Sequence, residues 1–429
     1  MKRKLLRQVT NEWVSNLWII IELLIVSVVL WYIVDFLYVS GSRFFEPRGF
    51  NIERCFTVSL DNIPSESVDY DPTDSTNSEE HMRQLLDRFS RYPGVEAVGY
   101  GSYGSFPYDL SFAIGSLYDA EALPGDTLNI DGVYSDERQG TEHSVYKTMM
   151  SPGLLKVLDI HGIDGESPEE LGEILERGEI LLSSSAANGT GRTPQSLRGH
   201  KFYIAGDSSR LVRVGAVIPY LNSEGDFSGG GNNVKYVEMA PMKAQYQVMV
   251  RVMPGYEKDF AESVLNDAER YFRIGNDIVG EVTDMQDRRA DFDREARVEV
   301  RNWLVCMLFL MVSIFLGVLG TFWFRTQQRS GEIALRMVAG ATRGDVFRRM
   351  TGEGLMLLII ATVPAIAVDF AIAHYELNNE LYGRFLTAGR FAVTTGITFA
   401  LMTLMVIFGT WWPALRAMRV QPAMALADE

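Results

Sequence analysis

Residues that carry covalent chemistry are scarce in this sequence. Two cysteines and five histidines are spread along 429 residues, and there is no Walker phosphate loop, HExxH, GxSxG or CxxC. The chain is therefore expected to perform no covalent chemistry itself, and neither a cofactor nor a metal site is expected. Cys55 lies in a charged region and Cys306 near the start of an apolar run, so no disulfide is expected between them. The glycine-rich run at 228–233 (SGGGNN) lacks the Gly-Lys-Ser/Thr ending of a phosphate cradle. Asp69, Asp71 and Asp74 lack the turn glycine and distal glutamate of a calcium loop and read as a solvated acidic loop.

What the sequence has is an uneven distribution of apolar residues. They make up 47% of the chain, but runs at 17–39, 303–324, 355–373 and 391–412 are almost wholly apolar and long enough to cross a bilayer. Between the first two runs, residues 40–302 hold 26 basic and 44 acidic residues, an acidic balance that argues against nucleic acid as a partner. The expected fold class is an α-helical membrane protein with four transmembrane helices and a large α+β extracytoplasmic domain inserted between the first and second spans.

Charge sets the expected orientation. Lys2, Arg3, Lys4 and Arg7 precede the first span, and the segment 325–353 carries six arginines against three acids, so both should stay on the cytoplasmic side of a plasma (inner) membrane. Four crossings then put both termini in the cytoplasm. Residues 1–16, with Leu5, Leu6, Val9, Trp13 and Val14 at helical spacing, suit a short surface helix. Three carboxylates interrupt the spans. Glu22 lies deep and should face another helix, Asp35 sits close enough to the outer end to reach the interface, and Asp369 lies near the outer end of the third span. A short outer loop covers 374–390, and a cytoplasmic tail covers 413–429.

Within 40–302 the pattern strand, helix, strand occurs twice. Residues 55–60 alternate as a strand, Met82, Leu85, Leu86 and Phe89 have helical spacing, and 95–100 form a second strand; 246–252, 260–272 and 278–282 repeat the order. The expectation is a pair of small α+β lobes brought together in space, with a β-rich insertion at about 101–245 between them that has β patterning at 201–205 and 211–217 around the turn Gly206-Asp207. Residues 284–302 continue without Pro or Gly toward the second span, which allows one helix of about forty residues; the alternative is a helix broken at the membrane surface.

The coupling segment 325–354 has its own helix signals. Ser330 can cap a short helix, Gly340 offers a left-handed stop, and Thr342 with Asp345 can start the next helix. The run Arg329, Glu332, Ile333, Arg336, Ala339, Gly340, Ala341, followed by Glu353 and an apolar helix, resembles the loop after the second span of MacB/FtsX-type ABC transporter permeases. The tail Pro413-Ala414, Ala417, Val420, Pro422 and Ala425-Leu426 is similar to that family's ending. Residues 151–155, 179–187 and 211–217 resemble the MacB periplasmic core, while Val338-Ala339 departs from the family's usual Ala-Leu before the glycine.

The resemblance implies a non-catalytic permease subunit working as a dimer, homomeric or with a paralogue, in membrane lipid with a separate ABC ATPase subunit and further envelope proteins as partners. It implies that Arg329, Glu332, Ile333, Arg336, Ala339 and Gly340 form an ATPase-coupling helix, whereas Arg343, Arg348 and Arg349 serve as a topology signal. The expected function is mechanical export of a peptide, antibiotic, lipoprotein or other amphiphile through the envelope. The alternatives are an FtsX-like transmembrane regulator of an extracytoplasmic hydrolase, or a membrane-anchored sensor without an ATPase.

Overall fold

The computed structural model describes residues 13–74, 78–102, 104–109, 113–114, 117–119, 145–187, 193–204, 207–223, 225–227, 234–242, 247–328, 331, 333, 335, 338–375, 377 and 387–417. In chain order the described helices are α1 (Trp13–Phe44), α2 (Ser78–Ser90), α3 (Pro152–Val157), α4 (Pro168–Glu176), α5 (Phe260–Asn266), α6 (Met285–Phe292), α7 (Arg294–Gln328), α8 (Arg343–His374) and α9 (Ala388–Ala417). The strands are β1 (Cys55–Asn62), β2 (Val95–Gly101), β3 (Ala113–Ile114), β4 (Leu117–Asp119), β5 (Val145–Met150), β6 (Ile180–Ser183), β7 (Lys201–Ile204), β8 (Asp207–Ile218), β9 (Val234–Met239), β10 (Gln247–Val252) and β11 (Asp277–Asp284). They divide between two compact units, one of Met1–Phe44 with Glu295–Glu429 and the other of Phe45–Arg294.

In the soluble unit the two strand-helix-strand patterns come together in space as parts of one sheet. Their strands alternate in one sheet in the order β11-β1-β10-β2, every pair antiparallel. A two-stranded piece has too little apolar face to be stable alone, whereas interleaving gives β1 and β10 a neighbour on each side. One face of this sheet is covered by α2 through Met82, Leu85 and Phe89, and by α5 and the π-helical turn Ala268–Phe272 through Phe260, Val264 and Phe272. The single helix expected over 260–272 is thus divided into an α-helix and a π turn.

The sheet continues from β2 through β5, β9, β6 and β8 to β7 and β4. The β patterning at 201–205 and 211–217 is present as β7 and β8, paired antiparallel. On this part α3 and α4 pack through Leu154, Leu155, Leu171 and Leu175. Each helix starts where the sequence supplies a cap: Ser151 accepts from the Leu154 amide, and Ser167 with Glu170 forms a reciprocal capping box ahead of Pro168. Gly99 allows α3 to sit directly on β2, because a Cβ there would overlap the backbone of Gly153 and Leu154.

In the other unit α1, α7, α8 and α9 are long and apolar enough to cross a membrane. Helix α1 packs on α8 and α9, and these pack on each other. Ile19, Leu23, Leu30, Ile314, Leu357 and Val406 are among the buried side chains they share. The long helix allowed through 284–324 is interrupted. Helix α6 ends at Phe292, the Asp293 amide caps it by donating to the carbonyls of Arg289 and Asp291, and α7 begins at Arg294.

Candidate functional site

Three groups of residues answer to the sites expected from sequence, or add to them. The first is the segment between α7 and α8. Gly331, Ile333, Leu335 and Val338 are helical, and the Ala339 amide donates to the Leu335 carbonyl at 3.0 Å. Gly340 then adopts φ +96° with open space where a Cβ would stand, the left-handed stop that glycine accepts without strain. Helix α8 starts on a capping box: the Thr342 hydroxyl accepts from the Asp345 amide at 3.2 Å, and the Asp345 carboxylate accepts from the Thr342 amide at 3.1 Å. Ile333 is half-buried and Ala339 exposed, and the apolar Leu335 and Val338 are 60% and 61% exposed. Arg329, Ser330, Glu332 and Arg336 lie outside the described residues, as do residues 1–12, the glycine run and the end of the tail.

The second group is polar and lies between apolar helices. Asp35 is paired across helices. It is buried on α1 and accepts a two-pronged contact from Arg390, with Nε to Oδ1 at 2.8 Å and Nη2 to Oδ2. The side chains are 1% and 6% exposed, so neither charge is solvated by water and a two-pronged pair replaces that solvation. Arg390 therefore belongs to helix α9 rather than to the short outer loop. One turn away the Trp31 indole donates to the Thr394 hydroxyl at 3.1 Å. Glu22 faces α7, where its carboxylate fills the space a side chain on Gly317 would need. Asp369 is buried on α8, and its Oδ1 has no hydrogen-bond partner among the described residues.

The third group is in the soluble unit and has no counterpart among the sequence expectations. Asp226 is wholly buried and accepts from Arg289 through Nε at 2.9 Å and Nη2 at 2.7 Å. Arg48 also pairs with Asp226 and donates to the Tyr108 hydroxyl. The Asp226 amide donates to Asp293 Oδ1 at 2.9 Å. Burial alone would raise the Asp226 pKa, but the guanidinium groups of Arg48 and Arg289 hold it below the ordinary carboxylate value. The same contact raises the Arg289 pKa, and burial pushes the Tyr108 hydroxyl up to about 12.

The acidic loop before α2 is not simply solvated. Asp71 Oδ1 accepts from the Thr73 amide at 2.8 Å, the Asn276 side chain brackets the Asp71 backbone at 2.8 and 3.0 Å, and Asp74 accepts from the Asn276 amide at 3.1 Å. His81 lies between Asp74 at 3.4 Å and Asp277 at 2.7 Å. These carboxylates fasten the loop to the turn before β11. Among the described residues no cluster of His, Cys, Asp and Glu is placed to hold a metal ion.

Residues 304–422 match the family described as FtsX-like permease C-terminal, a range that contains α8, α9 and the capped segment ahead of α8. Two relatives are pyoverdine export ATP-binding/permease proteins PvdT. The one from Pseudomonas fluorescens Pf-5 is 26% identical over 225 residues, covering 50% of this chain and 33% of that protein. The one from Pseudomonas aeruginosa PAO1 is 30% identical over 145 residues, covering 32% and 20%. The chain thus spans a third or less of the length of the curated relatives it matches. Two solved domains also align, each with a TM-score of 0.30. The extracellular domain of the noncanonic ABC-type transporter YknZ from Gram-positive bacteria is 14% identical, covering 52% of this chain and 100% of that domain. The periplasmic region of MacB from Actinobacillus actinomycetemcomitans is 11% identical, covering 58% and 97%. Within the matched range the sequence-predicted Ile333, Ala339 and Gly340 share one helical end, whereas Glu22, Asp35 and Asp369 occupy separate positions. Arg390 was missed by sequence reasoning, although a lone arginine at the edge of an apolar run opposite an aspartate is the available signal.

Proposed function

We propose that this chain is the permease subunit of an ABC transporter, driven by a separate ATPase subunit that engages the segment 325–354. ATP-driven closure at that segment moves the domain of residues 40–302 on the extracytoplasmic side and exports a peptide, antibiotic, siderophore-like compound or other amphiphile. The observation that carries this reading is the coincidence of the FtsX-like match over 304–422 with a helical segment whose apolar Leu335 and Val338 are exposed ahead of a rigid capping box. An exposed apolar strip on a short helix suits a soluble partner's groove. Pyoverdine export, the activity named for these ATP-binding/permease relatives, supports export.

A dimer fits the same reading. Only 11% of the most apolar window of α7 is buried, against 39% in α1. An apolar groove of about 410 Å³ opens between α7 and α9, lined by Leu308, Met311, Phe315, Met405, Phe408 and Trp412. The test is purification of the full chain from its own membranes in mild detergent. Recovery of a stoichiometric Walker-containing protein with a permease dimer is expected. Reproducible recovery of the permease alone, without ATP hydrolysis in the preparation, would leave a sensor instead.

A further inference from the structure

The chain enters the soluble unit at Phe45 and leaves it after Arg294, and the two ends are tied to each other through one carboxylate. Arg48 lies four residues into the unit and Arg289 six from its end, and both bind Asp226. Asp293 joins the same group by accepting from the Asp226 amide. Backbone bonds reinforce the tie: the Asn222 amide donates to the Arg48 carbonyl at 3.0 Å, and the Tyr108 amide to the Ser223 carbonyl at 2.8 Å. Arg288 donates to the Tyr108 carbonyl at 3.2 Å. Tyr108 is held at φ +58°, a costly conformation for a bulky side chain that persists only where its surroundings over-determine it. Its ring packs edge-on to Phe50 and Phe292, which flank the two ends of the unit.

We propose that Asp226 is a clamp that makes the entering and leaving segments of the soluble domain one mechanical body, so that displacement of either segment is shared by both. This rests on the permease reading for its purpose, but not for its test. Two guanidinium groups on one buried carboxylate are coupled, since removing either leaves the remainder less well compensated in a site closed to water. Independent contacts would lack that coupling.

The experiment is hydrogen–deuterium exchange on the full chain in lipid nanodiscs, comparing wild type with Arg289→Ala, Arg48→Ala and the milder Arg289→Lys. Arg289→Ala should accelerate exchange about tenfold not only in 285–293 but also in 46–51, and Arg48→Ala should do the reverse, while β1 and β10 stay unchanged. Arg289→Lys should give a smaller change with the same spread. Acceleration confined to the mutated segment in these variants would overturn the clamp. Adding ATP and the partner ATPase to wild type separates the two ideas: if the spread is seen but ATP leaves exchange in 46–51 and 285–293 unaltered, the permease reading fails and the clamp stands.

Discussion

Replacing Arg390 by alanine should destabilise the membrane domain far more than removing both members of the pair it forms. Asp35 is 1% exposed and accepts two bonds from Arg390, which is itself 6% exposed. Arg390→Ala removes the two-pronged guanidinium contact from a carboxylate closed to water, a loss of about 3–5 kcal/mol for a broken buried pair. The double variant Asp35→Leu/Arg390→Leu removes both desolvation costs along with the attraction, and such exchanges are neutral or stabilising by about 1–4 kcal/mol. Asp35→Asn should fall between, because the amide still accepts from the guanidinium. The assay is thermal unfolding of the detergent-solubilised chain followed by tryptophan fluorescence, with Trp31 reporting locally through its bond to Thr394. The reasoning is refuted if the double variant loses as much as the sum of Arg390→Ala and Asp35→Leu, since additivity would mean that the two charges do not interact.

Acid should weaken the soluble domain through Asp226. Its folded pKa lies below the unfolded value of about 3.9, so its contribution is present above that value and is lost as pH falls through the folded pKa. Asp226→Asn should flatten the pH dependence of proteolytic resistance below about pH 4. Cys55 is fully buried, and burial pushes its thiol up to about 12; it should react with maleimide only after denaturation, a rate followed by mass spectrometry. Gly99→Ala should force β2 and α3 apart, because the new methyl meets the backbone of Gly153 and Leu154, and cost at least the 1–3 kcal/mol typical of overpacking. Thr342→Ala removes the side-chain half of the capping box on α8 and should cost about 1 kcal/mol, visible as faster amide exchange in its first turn.

The parts of the molecule written in local pattern were legible. Apolar length located the helices that now stand as α1, α7, α8 and α9, the alternation at 55–60 and 95–100 marked β1 and β2, and Thr342 with Asp345 announced the start of α8. Pairing across long stretches of chain was not legible. Nothing local tells in what order β11-β1-β10-β2 join when the two patterns come together, since each strand's own pattern suits several pairings. The pairing of Asp35 was not legible because its partner, Arg390, is 355 residues away. Asp226, between Gly225 and Phe227 ahead of the glycine run, reads like any solvated acid until Arg48 and Arg289 are brought to it. Whether 284–324 is one helix or a broken one stayed open because no Pro or Gly marks a break; an aspartate whose side chain is engaged by the Asp226 amide ends α6.

The central claim is that a partner ATPase drives this permease through the short helix between α7 and α8. The most direct measurement uses the permease reconstituted with its ATPase, with Glu332→Arg and Arg336→Glu combined, reading ATP hydrolysis alongside ATP-dependent exchange in residues 285–293. Continued hydrolysis with loss of the exchange response, in a permease that is still folded, is the predicted result. Wild-type coupling in the reversed variant would contradict the account.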